Sequence, residues 1–278
     1  MVENGISSFE LEYLEYGYNK LTIPPGPNGK HSIEKNALHV WPRKRFMLSA
    51  LPNIDGSFSC TLFLPHNGEV SFESLTTADE VRVFFLRHFP DIAPLMPDMT
   101  REFLENPTGS MMTVKGSPWH VEDKALLIGD AAHALVPFFG QGMNSSFEDC
   151  SHVNRLVQRQ MSYGRTPEKI DWREVFADFS KTRKKETDAI ADLAVEDFVE
   201  MRDACALPKF QLKKRVEHSL EENYPGLFVP KYTMVALRRI PYSVARARSI
   251  VQEQILNELC EHISRPEDLD LRKADLLI

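Results

Sequence analysis

Between Leu126 and Cys150 the chain reads LLIGDAAHALVPFFGQGMNSSFEDC, an order of residues that few folds accommodate. The opening apolar run reads as a buried strand. It ends in Gly129-Asp130, and six further residues lead to Pro137. After Phe138, Phe139 and Gly140-Gln141-Gly142 a helix begins. A helix start leaves its first backbone N–H groups without intrahelical partners. Those of Gly142, Met143 and Asn144 can therefore face a carbonyl or an anion. Asp130 can accept hydrogen bonds from hydroxyl groups at the other end of the same loop.

Short runs rich in aliphatic and aromatic residues lie upstream, at Leu38 to Trp41, Phe46 to Leu51 and Phe58 to Leu64. Pro42-Arg43-Lys44 and Asn53-Ile54-Asp55-Gly56 separate them as turns, which predicts an antiparallel sheet with hairpin connections. Thr77-Ala78-Asp79-Glu80 is a capping-box pattern ahead of Val81, Phe84, Phe85 and His88, so a short helix is expected, stopped by Pro90. A further strand is expected around Met111 to Lys115. Downstream, Met143, Phe147, Cys150, Val153, Leu156, Val157 and Met161 recur at steps of three and four, the spacing of an amphipathic helix with an apolar buried face. A second helix is predicted from Trp172 through Ile190 and Leu193 to Met201, with others over 208–222 and 241–263. Lys181 to Lys185 and Lys213 to Arg215 are basic runs beside acidic residues and read as solvated helix faces.

Composition narrows the class. Of the 278 residues 42% are hydrophobic and 26% charged, ordinary for a soluble globular protein. The net charge of −7 argues against nucleic acid as a partner. Cys60, Cys150, Cys205 and Cys260 are scattered without a C-x-x-C, which predicts reduced, mostly buried thiols and no metal site. The acidic N-terminus, MVENGISSFELEYLEY, has no apolar core of a signal peptide, and no apolar run approaches the length of a membrane span.

The motif GDAAHALVP resembles that of the flavin-dependent aromatic hydroxylases, and the continuation PFFGQGMN with FEDC is similar to the kynurenine 3-monooxygenase family. LTIPP (Leu21 to Pro25), LHVWPR (Leu38 to Arg43), ALPN (Ala50 to Asn53), SCTLFLP (Ser59 to Pro65), VEMR (Val199 to Arg202) and YTMV (Tyr232 to Val235) extend the resemblance, in family order, over roughly residues 16–248. The resemblance implies an α+β/α/β flavoprotein-hydroxylase fold. Residues 1–115 would form a substrate-covering mixed sheet domain, 116–165 the C-terminal part of an FAD-binding domain, and 166–278 a helical region. The implied activity is an FAD-dependent, NADPH-using monooxygenase that places oxygen from O₂ on a kynurenine-like ring.

Gly129, Asp130, Pro137, Gly140, Gly142, Met143 and Asn144 are the implied FAD contacts. Asp130, more than Asp123 or Asp149, is expected to carry the bonds to the ribityl hydroxyls. Pro137, Phe138 and Phe139 would keep water from the flavin face, while His133 is expected to pack rather than act as acid or base. Met47, Leu51, Phe63, Phe138, Glu200, Met201, Asp197 and Tyr232 match substrate-pocket positions, Tyr232 as a buried hydroxyl that holds a carboxylate. No side chain is assigned as catalytic, since the chemistry is the flavin's.

Three departures qualify the resemblance. The family opens with a strand-turn-helix carrying G-x-G-x-x-G, whose glycines admit the FAD pyrophosphate. Here Gly140 and Gly142 have the first spacing, but Ser145 stands where the third glycine would be. The chain therefore reads as a C-terminal portion, which keeps open an inactive truncated product or partial gene model. Asp197 replaces the family's Asn, which keeps open a different amino-aromatic substrate. The family's hydrophobic anchor to the mitochondrial outer membrane would lie where SRPEDLDLRKADLLI stands, so a cytoplasmic location is expected for the chain on its own.

Overall fold

Alternation at period two builds the first strand of the computed structural model, which describes residues 8–278. In β1 (Ser8–Ile23) Gly17, Asn19, Leu21 and Ile23 are buried, while Lys20 and Thr22 face solvent. The first seven residues of the acidic N-terminal stretch lie outside the described residues. The strands β2 (His39–Pro42), β3 (Met47–Pro52) and β4 (Phe58–Pro65) follow as antiparallel neighbours. The turn between β3 and β4 uses Gly56 at φ 89°, and Asp55 accepts from the Ser57 N–H at 3.0 Å and its Oγ at 2.6 Å. With β5 (Gly109–Ser117) the sheet order is β2-β3-β4-β1-β5.

Leu48, Phe58, Cys60, Leu62 and Leu64 are wholly buried against Val81, Phe84 and Phe85 of α1 (Ala78–His88). Each such side chain contributes about 1.5–3 kcal/mol by leaving water. The predicted capping box is present: the Thr77 side chain accepts from the Glu80 N–H, and Glu80 reaches back to the Thr77 backbone. Phe89 and Met99 and Phe103 of α2 (Met99–Glu105) complete this core. Burial pushes the Cys60 thiol up to about 12, so it behaves as an inert apolar group.

The rest is mainly helical. A two-stranded ribbon, β6 (His120–Val121) and β7 (Ala125–Leu126), leads into a single turn, α3 (Asp130–His133). Two long helices follow, α4 (Gly142–Ser162) and α5 (Trp172–Val199), and then a π-helical segment over Glu200–Ala204. After α6 (Pro208–Asn223) a second π-helical segment, Thr233–Leu237, precedes α7 (Tyr242–Leu259) and α8 (Leu271–Leu277). Trp119, Ala132, Leu156, Ile170, Val175 and Phe179 form one core here; Leu212, Val216, Leu220, Phe228, Ile255, Leu256 and Leu259 form another. Two compact units divide the chain: residues 13–111 with 199–206, and the remaining described residues. Among the described residues no helix is long and apolar enough to cross a membrane.

Four expectations need correction. The strand before Gly129 shrinks to Ala125–Leu126, and Ile128 is 41% exposed, because no strand beyond β6 lies beside it among the described residues. The face that α4 buries is Ser145, Asp149, Leu156 and Gln160, whereas Met143 and Phe147 are 68% and 65% exposed. Val153, Val157 and Met161 still pack beside Leu156 against the core of Trp119 and Phe179, so the departure is confined to the first turns of α4, where Asp149 is the buried residue. Arg183, expected on a solvated face, is the partner of Asp149 and is buried. All four cysteines are free, but only Cys60 and Cys260 are buried; Cys150 is exposed on α4.

Candidate functional site

The loop from Gly129 to Asn144 is built on two glycines with positive φ. Gly129 has φ 61° and ψ −147°, a conformation essentially closed to other residues, and a Cβ there would lie 3.0 Å from Ser146 Oγ. It opens α3, where the Ala132 and His133 N–H groups donate to its carbonyl at 2.8 and 3.0 Å. Asp130 is exposed at the head of this turn. The Val114 N–H of β5 donates to the Ala134 carbonyl at 2.8 Å and pins the middle of the loop. Pro137 starts a 3-10 turn that closes when the Gly140 N–H donates to its carbonyl, with Gly140 in the left-handed region at φ 62°. The first bond of α4 is Ser145 N–H to the Gln141 carbonyl, 2.8 Å. Gln141 gives no side-chain cap, so the amides of Gly142, Met143 and Asn144 face outward.

One carboxylate organises both ends of this loop. Asp149, wholly buried on α4, accepts from the Gly129 N–H (2.9 Å) and His133 Nε2 (2.6 Å) through Oδ2, and from Arg183 Nε (2.9 Å) through Oδ1. Arg183 reaches across from α5. It also donates to Glu148 (2.8 Å) and to the Ser145 carbonyl and hydroxyl (both 3.3 Å). A carboxylate only accepts, so Nε2 of His133 carries the proton in that bond. Burial alone would raise the Asp149 carboxyl. The His133 bond and charge, the Gly129 N–H and the Arg183 guanidinium outweigh it and hold the carboxyl below its ordinary value. The His133 ring packs on Trp119 with centroids 5.3 Å apart, consistent with a packing role.

A second network holds the turn between the glycines. Gln141 is buried; its Nε2 donates to the Phe139 carbonyl at 3.3 Å. Its Oε1 accepts from Asn144 Nδ2 at 3.3 Å and from the Tyr242 hydroxyl at 3.0 Å. The sequence does not mark Asp149, Arg183, Gln141 or Tyr242 as holding this loop. A signal existed for the first and third: Gln141, Ser145 and Asp149 are polar residues at a strict spacing of four, one face of a helix start.

The substrate-pocket candidates fall in both units. Met47 and Phe63 are buried and directly opposite each other across β3 and β4, but Leu51 is 54% exposed. Glu200 and Met201 lie half-buried in the first π-helical segment. In the other unit Asp197 is buried near the end of α5, and the Phe138 ring stacks on its neighbour Phe198 at 4.5 Å. Tyr232, expected to be buried, is 53% exposed; its ring stacks on Phe139 at 6.0 Å. Tyr232 immediately precedes the π-helical segment Thr233–Leu237.

Open space around the glycines marks where a group can approach. A Cβ at Gly140 or Gly142 would meet nothing within 4 Å. Gly142 lies in the first turn of α4 with no unusual φ, so the backbone does not require glycine there. Exposed Asp130 and these outward amides suit the hydroxyls and the carbonyl edge of a flavin. A family profile described as FAD binding domain matches residues 105–174, which contain this loop. Kynurenine 3-monooxygenase of Myxococcus xanthus is 49% identical over 96% of this chain and 56% of its own length. The chain is a homologue of the kynurenine 3-monooxygenases. The enzyme of that name from Dictyostelium discoideum is 43% identical over 100% of this chain and 61% of its own length. The chain thus spans a little over half the length of these relatives. Among solved structures, the tetrameric form of 2-methyl-3-hydroxypyridine-5-carboxylic acid oxygenase superposes with a TM-score of 0.55 at 16% identity, covering 75% of this chain and 53% of that one, a likeness of fold.

Proposed function

We propose that residues 129–144 hold the ribityl and pyrimidine part of FAD in an aromatic monooxygenase acting on a kynurenine-like substrate. Gly142 carries this reading. Gly142 is the first residue of α4, and its backbone conformation does not call for glycine. The fold has no use for it at this position, whereas a ring lying against the helix start does. Bound FAD would supply the redox chemistry for inserting one atom of O₂ into an aromatic ring, with NADPH proposed as electron donor. The chain's part is to bind and orient. Asp130 accepts from the ribityl hydroxyls, the amides of Gly142, Met143 and Asn144 stabilise negative charge at the pyrimidine edge, and Pro137 and Phe138 exclude water. With no G-x-G-x-x-G in the sequence, the grip on the pyrophosphate is proposed to come from outside these 278 residues.

Gly142→Ala separates ligand from fold. The expected outcome is an unchanged or slightly raised Tm with flavin affinity lowered about tenfold, the effect of a methyl group in the path of the ring. An alanine variant that binds flavin as well as the parent removes the loop from the site.

Asp197 supports a second reading, a different amino-aromatic substrate. An ionised Asp repels a substrate carboxylate by about 1 kcal/mol at 4 Å in water and about 4 kcal/mol at an effective dielectric of 20. If Asp197 faces the substrate carboxylate, then in a chimera of this chain with a full-length relative Asp197→Asn is expected to lower KM for kynurenine with kcat little changed, and Tyr232→Phe to raise it. If Asp197→Asn instead weakens kynurenine binding, the carboxylate faces an ammonium group. Turnover of another amino-aromatic but not of kynurenine establishes the second reading.

A further inference from the structure

We propose that Tyr242, the first residue of α7, is a positioning residue for the flavin loop, acting through Gln141 on the start of α4. The inference rests on the reading of residues 129–144 as a flavin loop. Gln141 sits between two glycines that have no side chain to pack, and a Cβ at either would meet nothing within 4 Å. Its own side chain is buried and ties it down through the amide. Among the described residues that amide makes three bonds: those to the Phe139 carbonyl and to Asn144 stay within the loop, and the one from Tyr242 comes from outside it.

Tyr242 is itself well anchored. The Val244 and Ala245 N–H groups donate to the Pro241 carbonyl at 3.0 and 2.9 Å. Ser243 donates to the Glu186 carboxylate on α5 through its N–H (2.9 Å) and its Oγ (2.8 Å). One turn on, Arg246 pairs with Asp192 (2.8 Å) and Glu196 (3.2 Å), also on α5. Adjacent hydroxyls therefore do different jobs. Ser243 fastens α7 to α5, and Tyr242 fastens the flavin loop to α7. Burial pushes the Tyr242 hydroxyl up to about 12, so it remains a proton donor at every working pH. Because the Ser145 N–H donates to the Gln141 carbonyl, loosening Gln141 frees the first hydrogen-bonded amide of α4.

Hydrogen exchange on the full chain, resolved to single amides, tests this without a flavin. In Tyr242→Phe the Ser145 amide is expected to exchange about tenfold faster, the equivalent of one lost hydrogen bond. In Ser243→Ala it should exchange at the parent rate, while the amides of the first turn of α7 accelerate. Gln141→Met, which removes all three amide bonds, should accelerate the Ser145 amide at least as much as Tyr242→Phe, and adding Tyr242→Phe to it should change little further. FAD titration by flavin fluorescence then reads the consequence: Kd about threefold to tenfold weaker in Tyr242→Phe and within about twofold of the parent in Ser243→Ala. An unaltered Ser145 amide in Tyr242→Phe, or equal acceleration in both hydroxyl variants, overturns the proposal. If the exchange pattern holds but the parent chain binds no flavin, the positioning contact stands and the flavin reading falls.

Discussion

Asp149→Ala is expected to destabilise the chain by about 3–5 kcal/mol, because it strands Arg183 in the interior without its buried partner. The same substitution unties the Gly129 N–H and His133 Nε2, so the turn bearing Asp130 and the start of α4 lose their common anchor. Glu148→Ala is the matched control. Glu148 also pairs with Arg183, at 2.8 Å, but its side chain is 46% exposed, and its loss is expected to cost about 0.2–1 kcal/mol. Urea denaturation of the three chains measures both. A cost below that of the Glu148 variant would mean that Asp149 does not hold the loop. The contribution has a pH signature. The carboxyl is held below its unfolded value near 3.9, so its stabilisation is fully present above about pH 4. It is lost as pH falls through the folded-state value, so the stability gap between the parent and Asp149→Asn should close in acid.

Asp130→Ala is expected to leave Tm unchanged, since the residue is exposed, yet to weaken flavin binding about tenfold or more. Hydrogen bonds from hydroxyls to a carboxylate contribute about 1.5–3 kcal/mol. Asp123→Ala, in the exposed turn between β6 and β7, should bind flavin as the parent does. Asp149→Ala is no neutral comparison, as its burial makes plain. Equal flavin affinity in the Asp130 and Asp123 variants would take Asp130 out of the site.

Local signals in the sequence carried most of the architecture. Hairpin turns at Asn53 to Gly56, the Thr77 capping box and the glycines of the 129–142 loop each determine backbone geometry within a few residues, and the structure forms them as read. What failed depends on partners far along the chain. The apolar spacing of Met143, Phe147 and Cys150 is that of a buried face. In the first turns of α4 the buried residue is instead Asp149, paired with Arg183 34 residues away, while Val153, Leu156, Val157 and Met161 keep the packing that the spacing predicts. A buried pair of opposite charges is invisible to hydrophobic periodicity, and Arg183 sits in a basic run that looks solvated. Tyr242 escaped notice for the same reason: its partner Gln141 is 101 residues away. Tyr232 failed differently. A motif can mark the residue, but its exposure is set by what the rest of the chain packs around it.

The most direct measurement is a parallel titration of this chain with FMN and FAD, followed by flavin fluorescence. FMN carries the isoalloxazine, the ribityl chain and one phosphate, the parts assigned to Asp130 and the start of α4. The two flavins are therefore expected to bind with Kd values within about threefold of each other, a difference under 1 kcal/mol. Both should weaken in Gly142→Ala, and neither complex should survive gel filtration. FAD bound stoichiometrically and far more tightly than FMN, or no binding of either flavin at millimolar concentration, would contradict the assignment of residues 129–144 to the ribityl and pyrimidine end of the cofactor.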